Sequence, residues 1–125
     1  MDKAQAIQKF WEQFDVPAYD ESTVPTASDK PTYPYITYSV KTDSIGNPIV
    51  LTASVWDYST SWKRVEQIAQ TVAKALGMYG FYKAKIDDGY MWLTKGVPFA
   101  QRMSDDNDGI RRIYINLMCE FLTAY

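Results

Sequence analysis

The last stretch of the chain, residues 110–123, alternates apolar and polar side chains almost without a break. This alternation has the period of a β-strand, in which successive side chains point to opposite faces. Because one face is apolar throughout, the pattern predicts a strand near the middle of a sheet. The apolar face carries Ile113, Ile115, Leu117, Cys119 and Phe121, and the other face carries Arg112, Tyr114, Asn116, Met118, Glu120 and Leu122.

Two segments have the helical period instead. In residues 2–14 and 65–76, apolar side chains recur at intervals of three and one, which places them in a single stripe along a helix. We expect a hydroxyl among residues 59–61 to cap the start of the second helix. Gly77 is expected at its C-terminal end, in the left-handed conformation that glycine tolerates best.

Four shorter segments are rich in β-branched and aromatic residues and are predicted strands: 33–40, 49–57, 81–86 and 90–94. Gly46-Asn47 suits a tight turn, so the first two strands are expected to form a hairpin. Residues 17–34 contain four of the six prolines and lack a clear period, which indicates a long loop that we interpret as a contact arm.

These elements predict one α+β domain over residues 1–125. Its core would be a four- to five-stranded, mainly antiparallel sheet with two helices packed on one face. The opposite face of that sheet would carry Thr, Ser, Tyr, Asn and Met, which is too polar for a core and too apolar for an ordinary solvent-facing surface.

Aromatic residues make up 15% of the chain, including ten Tyr and four Trp, and this excess favours a surface that is buried on association. A tyrosine-rich rim of the core is the alternative.

The net charge of −2 gives no general attraction to phosphate backbones or anionic lipid. No apolar run is long enough for a membrane span, and the N-terminal segment lacks the apolar core of a signal peptide, so we expect folding in a cytoplasm.

The residue inventory argues against catalysis. Histidine is absent, which removes His-dependent triads, His general bases and His-ligated metals. The single cysteine, Cys119, falls on the apolar face of the last strand, where we expect it to be buried and inert. We therefore expect no enzyme activity and no cofactor.

Two polar segments invite other interpretations. The segment 104–109 resembles a calcium loop, but Ser104 and Ile115 stand where that motif needs acidic ligands, so a polar hairpin tip is favoured. The second interpretation is that single-stranded nucleic acid binds to a platform of basic and aromatic side chains. The acidic total charge of the chain disfavours such binding. That platform would comprise Phe81, Tyr82, Lys83, Lys85, Arg112 and Tyr114.

The order of elements resembles the tail terminator, or tail-completion, proteins of long-tailed bacteriophages and related prophages. The resemblance spans nearly the whole chain. It is carried by Pro34-Tyr35, by Val55-Trp56 at a strand end, by the polar segment that leads from Ser59 into the helix ending near Leu76, and by the closing "RIYINLMCEF".

This resemblance implies a structural protein of the virion, assembled in the host cytoplasm and located at the head–tail junction. It implies a homo-oligomeric ring, usually a hexamer, that caps the major tail tube protein, ends tube polymerisation and docks the head–tail connector. DNA would pass through its opening without specific binding, and no membrane partner is implied. Another head–tail connector or minor structural phage protein is the alternative.

Two sets of residues are candidates for these contacts. The acidic tip, Asp105, Asp106 and Asp108, is expected to face the lumen or a ring face, where like charge keeps DNA from sticking. The candidate subunit or tube interface comprises Tyr33, Tyr35, Tyr38, Trp56, Arg112 and Tyr114.

Overall fold

Six strands form one curled, mixed sheet with two helices on one of its faces, in a computed structural model that describes residues 1–24, 32–42, 48–77 and 81–123. The expected α+β class is confirmed. The helices are α1 (Lys3–Glu12) and α2 (Lys63–Ala75), and the strands are β1 (Ala18–Asp20), β2 (Tyr35–Tyr38), β3 (Ile49–Tyr58), β4 (Phe81–Ile86), β5 (Gly89–Met103) and β6 (Ile110–Thr123).

The strands lie in the order β1-β2-β3-β6-β5-β4. The β1–β2 pair is parallel and the other pairs are antiparallel. The closing strand β6 lies between β3 and β5, so its predicted place near the middle of the sheet is confirmed. A strand that is flanked on both sides and covered by helices must keep one face apolar along its length.

The predicted count of four to five strands is wrong, because β1 adds a sixth. This strand lies inside the proline-rich segment, and three residues are too few to show a period. Its assignment depends on its partner, since Ala18 pairs with Ile36 of β2. The rest of that segment includes residues 25–31, which lie outside the described residues, as does the predicted turn at Gly46-Asn47.

Strand β5 continues well past the predicted segment 90–94. Its alternation is interrupted by a bulge, because the pairing with β6 shifts register between Lys95 and Ala100. Gly96 fits the bulge because a Cβ there would lie 2.8 Å from the backbone oxygen of Asn116. The asparagine side chain holds the bulge in place by donating a 3.0 Å hydrogen bond to the Pro98 carbonyl.

Both helices bury their apolar stripes against the same face of the sheet. In α1, the Phe10 ring lies edge-on to Tyr82 of β4 at 5.0 Å, and the Trp11 ring stacks with Tyr38 of β2 at 6.5 Å. In α2, Arg64 forms a 3.5 Å ion pair with the buried Asp57 of β3. One continuous hydrophobic core results, and both aromatic side chains of α1 are fully buried in it.

The helix ends follow different rules. Helix α1 begins with a capping box: Asp2 accepts a hydrogen bond from the Gln5 N–H at 2.8 Å, and Gln5 accepts one from the Asp2 N–H at 2.9 Å. The predicted hydroxyl cap of α2 is wrong, because Trp62 occupies the N-cap position and makes no capping hydrogen bond with its side chain. Gly77 has φ of 80°, which confirms the predicted left-handed end.

Packing explains why Trp62 begins α2. Its ring lies close to two guanidinium groups of the sheet, with Arg102 at 4.8 Å and Arg111 at 5.4 Å from the ring centroid. Ser61 keeps a local role, since its Oγ accepts a 3.1 Å hydrogen bond from the Lys63 N–H. The tertiary contact of the tryptophan therefore sets where the helix starts.

Candidate functional site

The sheet face away from the helices is open, and its central strands bring polar and aromatic side chains into register. Trp56 of β3 pairs with Tyr35 of β2 on one side and with Arg112 of β6 on the other. One step along, Ser54 of β3 pairs with Thr37 and Tyr114. Because paired residues in a sheet point to the same face, these side chains stand together on the open face.

A cleft of about 470 Å³ lies over these strands, and we call it the Arg112 cleft. Residues 21 and 24, which follow β1, close one side of it. Its lining residues are Glu21, Val24, Tyr35, Thr37, Thr52, Ala53, Ser54, Trp56, Arg112 and Tyr114.

Aromatic rings form one wall of the Arg112 cleft. The rings of Tyr35 and Trp56 are stacked, with centroids 6.3 Å apart and an angle of 19° between planes. Tyr33 extends this wall, since its ring lies 5.2 Å from Tyr35 and 6.1 Å from Tyr58. The Trp56 ring is held in place by a 3.0 Å hydrogen bond from its Nε1 to Thr37 Oγ1. The wall is therefore fixed before any partner binds.

Arg112 provides the positive charge of the cleft. Its guanidinium carbon lies 4.6 Å from the centroid of the Trp56 ring and 5.6 Å from that of Tyr114. Its Nε donates a 3.0 Å hydrogen bond to Ser54 Oγ, which is buried in the sheet. Within the described ranges Arg112 has no ion-pair partner, so its terminal amino groups remain for a ligand.

Burial also fixes the charge state of the wall. Burial of the Tyr35 phenol raises its pKa to about 12, and the neighbouring Tyr33 contributes to the same shift. Tyr35 therefore stays neutral at physiological pH and can donate or accept a hydrogen bond there. The Arg112 cleft combines a fixed cation, neutral hydroxyls and aromatic faces, which suits a carboxylate-bearing protein segment.

Five of the six predicted interface residues come together here. Tyr35, Trp56, Arg112 and Tyr114 line the cleft, and Tyr33 packs on its aromatic wall. The sixth assignment is wrong: Tyr38 is only 3% exposed and packs against Trp11 in the core. Tyr38 pairs with Ala53, which lies on the apolar face of β3, and this pairing turns the Tyr38 side chain towards the core.

Sequence reasoning missed the polar groups that orient the cleft. Ser54 and Thr37 each hold a larger side chain in place, yet small hydroxyl residues are common in strands and carry no pattern of their own. Glu21 was missed because it follows the three-residue strand β1. Only the pairing of strands brings these residues beside Arg112.

The acidic tip lies on the turn between β5 and β6, as expected for a hairpin tip. Asp105 accepts a 3.0 Å hydrogen bond from the Asn107 N–H, and Asn107 in turn accepts one from the Gly109 N–H at 2.9 Å. All three aspartates are exposed. In the described part of the chain, no group of His, Cys, Asp or Glu side chains is arranged to hold a metal ion.

The residues of the nucleic-acid platform do not come together. Tyr82 points into the core against Phe10, while Phe81 stacks on Trp92 on the open face at 5.1 Å. Phe81 is aligned through Thr94 with Met118 of β6, which lies six residues along that strand from Arg112. The platform predicted from the sequence is therefore divided between two separate regions.

A second open region lies at the other end of the open face, towards the C-terminal end of β6, and spans β3 to β4. Four apolar side chains there are about 40% exposed, and the indole N–H of Trp92 is buried without a hydrogen-bond partner among the described residues. Lys83 lies 4.4 Å from the Tyr90 ring centroid. The exposed apolar residues of this region are Val50, Phe81, Tyr90 and Leu122.

Another cleft, of about 370 Å³, lies at the far end of β6 on the helix side and is lined in part by Lys3, Asp87 and Thr123. Lys3, the one cation among its lining residues, and Asp87 are already used within the chain. The N-terminal amine of Met1 forms an ion pair with Asp87, and the Lys3 ammonium lies 4.9 Å from the centroid of the Phe121 ring. Among its lining residues this cleft therefore offers no free cation comparable with Arg112.

The predicted state of Cys119 is confirmed: its side chain is fully buried between β3 and β5. Burial raises the pKa of the thiol to about 12, so it is not a nucleophile at neutral pH.

No helix in the described ranges is long and apolar enough to cross a bilayer. A comparison with protein-family models finds no match, and neither does a search of curated proteins.

Proposed function

We propose that this chain is a structural virion protein that caps the tail tube of a long-tailed bacteriophage as an oligomeric ring. The ring, which we take as a hexamer, ends tube polymerisation and provides the surface for head–tail joining. Its partners are further copies of the chain, the major tail tube protein and the head–tail connector. DNA passes through the opening without specific binding.

The Arg112 cleft is the observation that carries this proposal. Trp, Tyr and Arg are the residues that most often dominate the binding energy of protein interfaces. Here Trp56, Tyr35 and Arg112 lie side by side on an open sheet face, each held by contacts within the chain. The sequence resemblance to tail terminators agrees with a protein whose role is to bind other proteins.

The acidic tip has its own place in the proposal. The turn that carries Asp105, Asp106 and Asp108 faces the lumen or a ring face, where its negative charge repels the DNA backbone. Replacing all three with lysine should slow DNA ejection or impair tail joining in an assembly assay. Normal joining and ejection with that variant would refute this placement of the tip.

Purified tail tubes provide the direct test. The protein is mixed with tubes, and negative-stain imaging and scattering measure rings at tube ends and the mass of the free oligomer. Trp56→Ala should reduce tube-end binding by about tenfold, because interface tryptophans are typical hot spots. Trp92→Ala removes an equally large ring from β5 in the second open region and is the matched control, with little effect expected.

Two results would favour other functions. Binding to the connector but not to the tube would assign the chain to a neighbouring structural protein of the head–tail junction. Salt-sensitive oligonucleotide binding, with nucleic acid absorbing at 260 nm in the purified material, would favour a single-stranded nucleic-acid-binding module. Oligonucleotide binding is not expected, because Lys83 and Arg112 lie in separate regions of the face.

A further inference from the structure

The four arginines of the chain differ in what they contact. Arg64 pairs with Asp57 and Arg102 pairs with Glu66. Arg111 donates to the backbone carbonyl oxygens of residues 60, 108 and 110. Arg112 has only the Ser54 hydroxyl, at its Nε atom, among the described residues. Its two terminal amino groups are therefore held in place, beside two aromatic rings, without an anion.

The acidic tip contains the complementary group. Asp105 accepts the Asn107 N–H, and the backbone carbonyl of Asp108 accepts a 2.7 Å hydrogen bond from Arg111. The Asp106 carboxylate has no hydrogen bond or ion pair within the described ranges and is exposed. Among the described residues the chain thus carries a free guanidinium in a cleft and, on a protruding turn, the unpaired carboxylates of Asp106 and Asp108. Because Arg111 holds Asp108 through its backbone carbonyl, Asp106 is the candidate for a contact with another molecule.

These two groups form no ion pair with each other within one molecule. Arg112 pairs with Met103, and Asp106 follows Met103 by three residues, so the tip lies roughly 10 Å further along the strand at about 3.3 Å per residue. We propose that Asp106 of one copy enters the Arg112 cleft of the next copy and pairs with the guanidinium. This inference rests on the proposed ring, since it names the contact that closes it.

The geometry suits a ring. Tip and cleft are different surfaces, so the contact is heterologous and leaves a free tip and a free cleft after each addition. In such a ring the tip lies at the boundary between two copies, and Asp105 and Asp108 stay outside the cleft and keep the role proposed for the acidic tip.

The cleft wall favours this occupant. An arginine between aromatic rings is partly shielded from water, which strengthens its pairing with a carboxylate. Glu21 on the opposite side of the cleft is the one acidic side chain among the lining residues and opposes the tip. Glu21→Gln should therefore tighten self-association, which is opposite to the effect of changing Arg112.

Charge reversal tests the pair. Mass photometry and sedimentation velocity on the full chain would measure self-association of the wild type, Arg112→Glu, Asp106→Arg and the double variant. Each single reversal should weaken association by about tenfold or more, and the double variant should recover most of that loss. Asp88→Arg makes the same charge change on a different turn and should leave association unchanged; circular dichroism verifies folding of each variant.

Two outcomes would overturn the inference. A double variant that associates no better than the single variants would show that the two groups do not meet. A wild type that stays monomeric at high concentration would show that this pair does not join free subunits. The tube-capping proposal is tested separately, because binding of the wild type to tube ends can succeed in either case.

Discussion

The buried thiol of Cys119 gives a quantitative test of the strand register that builds the open face. Burial raises its pKa to about 12 from a usual value of 9.0; the charge of Lys3 opposes this shift, and the charge of Glu120 adds to it by a smaller amount. The folded protein therefore keeps the thiol proton at pH values where the unfolded chain loses it. Stability from this group is complete below about pH 9 and is lost as the pH rises towards 12.

The size of the effect follows from proton linkage. Between those two pKa values the unfolded state binds one proton fewer, so the free energy of unfolding falls by about 1.4 kcal/mol per pH unit. At pH 10.5 the thiol should have removed roughly 2 kcal/mol relative to pH 7. Tyr35 and Tyr38, whose pKa values are also raised by burial, add to the alkaline loss.

Cys119→Ala isolates the thiol. Urea unfolding of both proteins, followed by tryptophan fluorescence from pH 7 to 10.5, gives two stability curves. The tyrosines contribute equally to both, so the difference between the curves reports the thiol alone. We expect the wild type to lose about 2 kcal/mol more than the variant over this range.

Parallel curves would refute the reasoning, because they would mean that the thiol titrates alike in both states. A one-residue slip of β6 would produce that result by turning Cys119 to the open face. The same slip would bury Arg112 and Tyr114. The pH experiment therefore tests the arrangement of the cleft without any binding assay.

Three further substitutions test the fold by urea unfolding. Gly89→Ala should cost at least about 3 kcal/mol, because its Cβ would lie 1.9 Å from the Leu122 backbone oxygen; a loss under 1 kcal/mol would mean that the β4–β5 turn differs. Trp11→Ala should cost about 3–5 kcal/mol, since the ring is fully buried; a small loss would place α1 off the sheet. Asp2→Ala removes the capping box of α1 and should cost about 1 kcal/mol, while Asp2→Asn, which keeps the capping oxygen, should cost much less.

Long periodic segments were predictable because their packing repeats along the chain. Helix α2 and strand β6 each bury one side against a continuous core, so their apolar residues recur with the period of the element. The predicted positions of both are confirmed. Short or interrupted elements were not predictable, as β1 and the bulge in β5 illustrate, because three residues or a broken alternation carry no period.

For the candidate site, the individual residues were predictable from the sequence, but their arrangement was not. Tyr35, Trp56, Arg112 and Tyr114 were selected individually as surface aromatic or charged residues of predicted strands. Their meeting in one cleft depends on the pairing of β2, β3 and β6, which no local pattern encodes. Tyr38 looked equivalent in sequence, and only its pairing with Ala53 places it in the core.

The sequence by itself determined the α+β class, the two amphipathic helices, the central closing strand and the buried cysteine, because each depends on periodic burial along one segment. The tertiary structure decided the sixth strand, the start of α2 at Trp62 and the composition of the Arg112 cleft. Those features depend on contacts between residues far apart in the chain, such as Arg112 with Ser54 and Trp62 with Arg102. Such contacts form only when the strands align, so they produce no pattern in the local sequence from which they could be predicted.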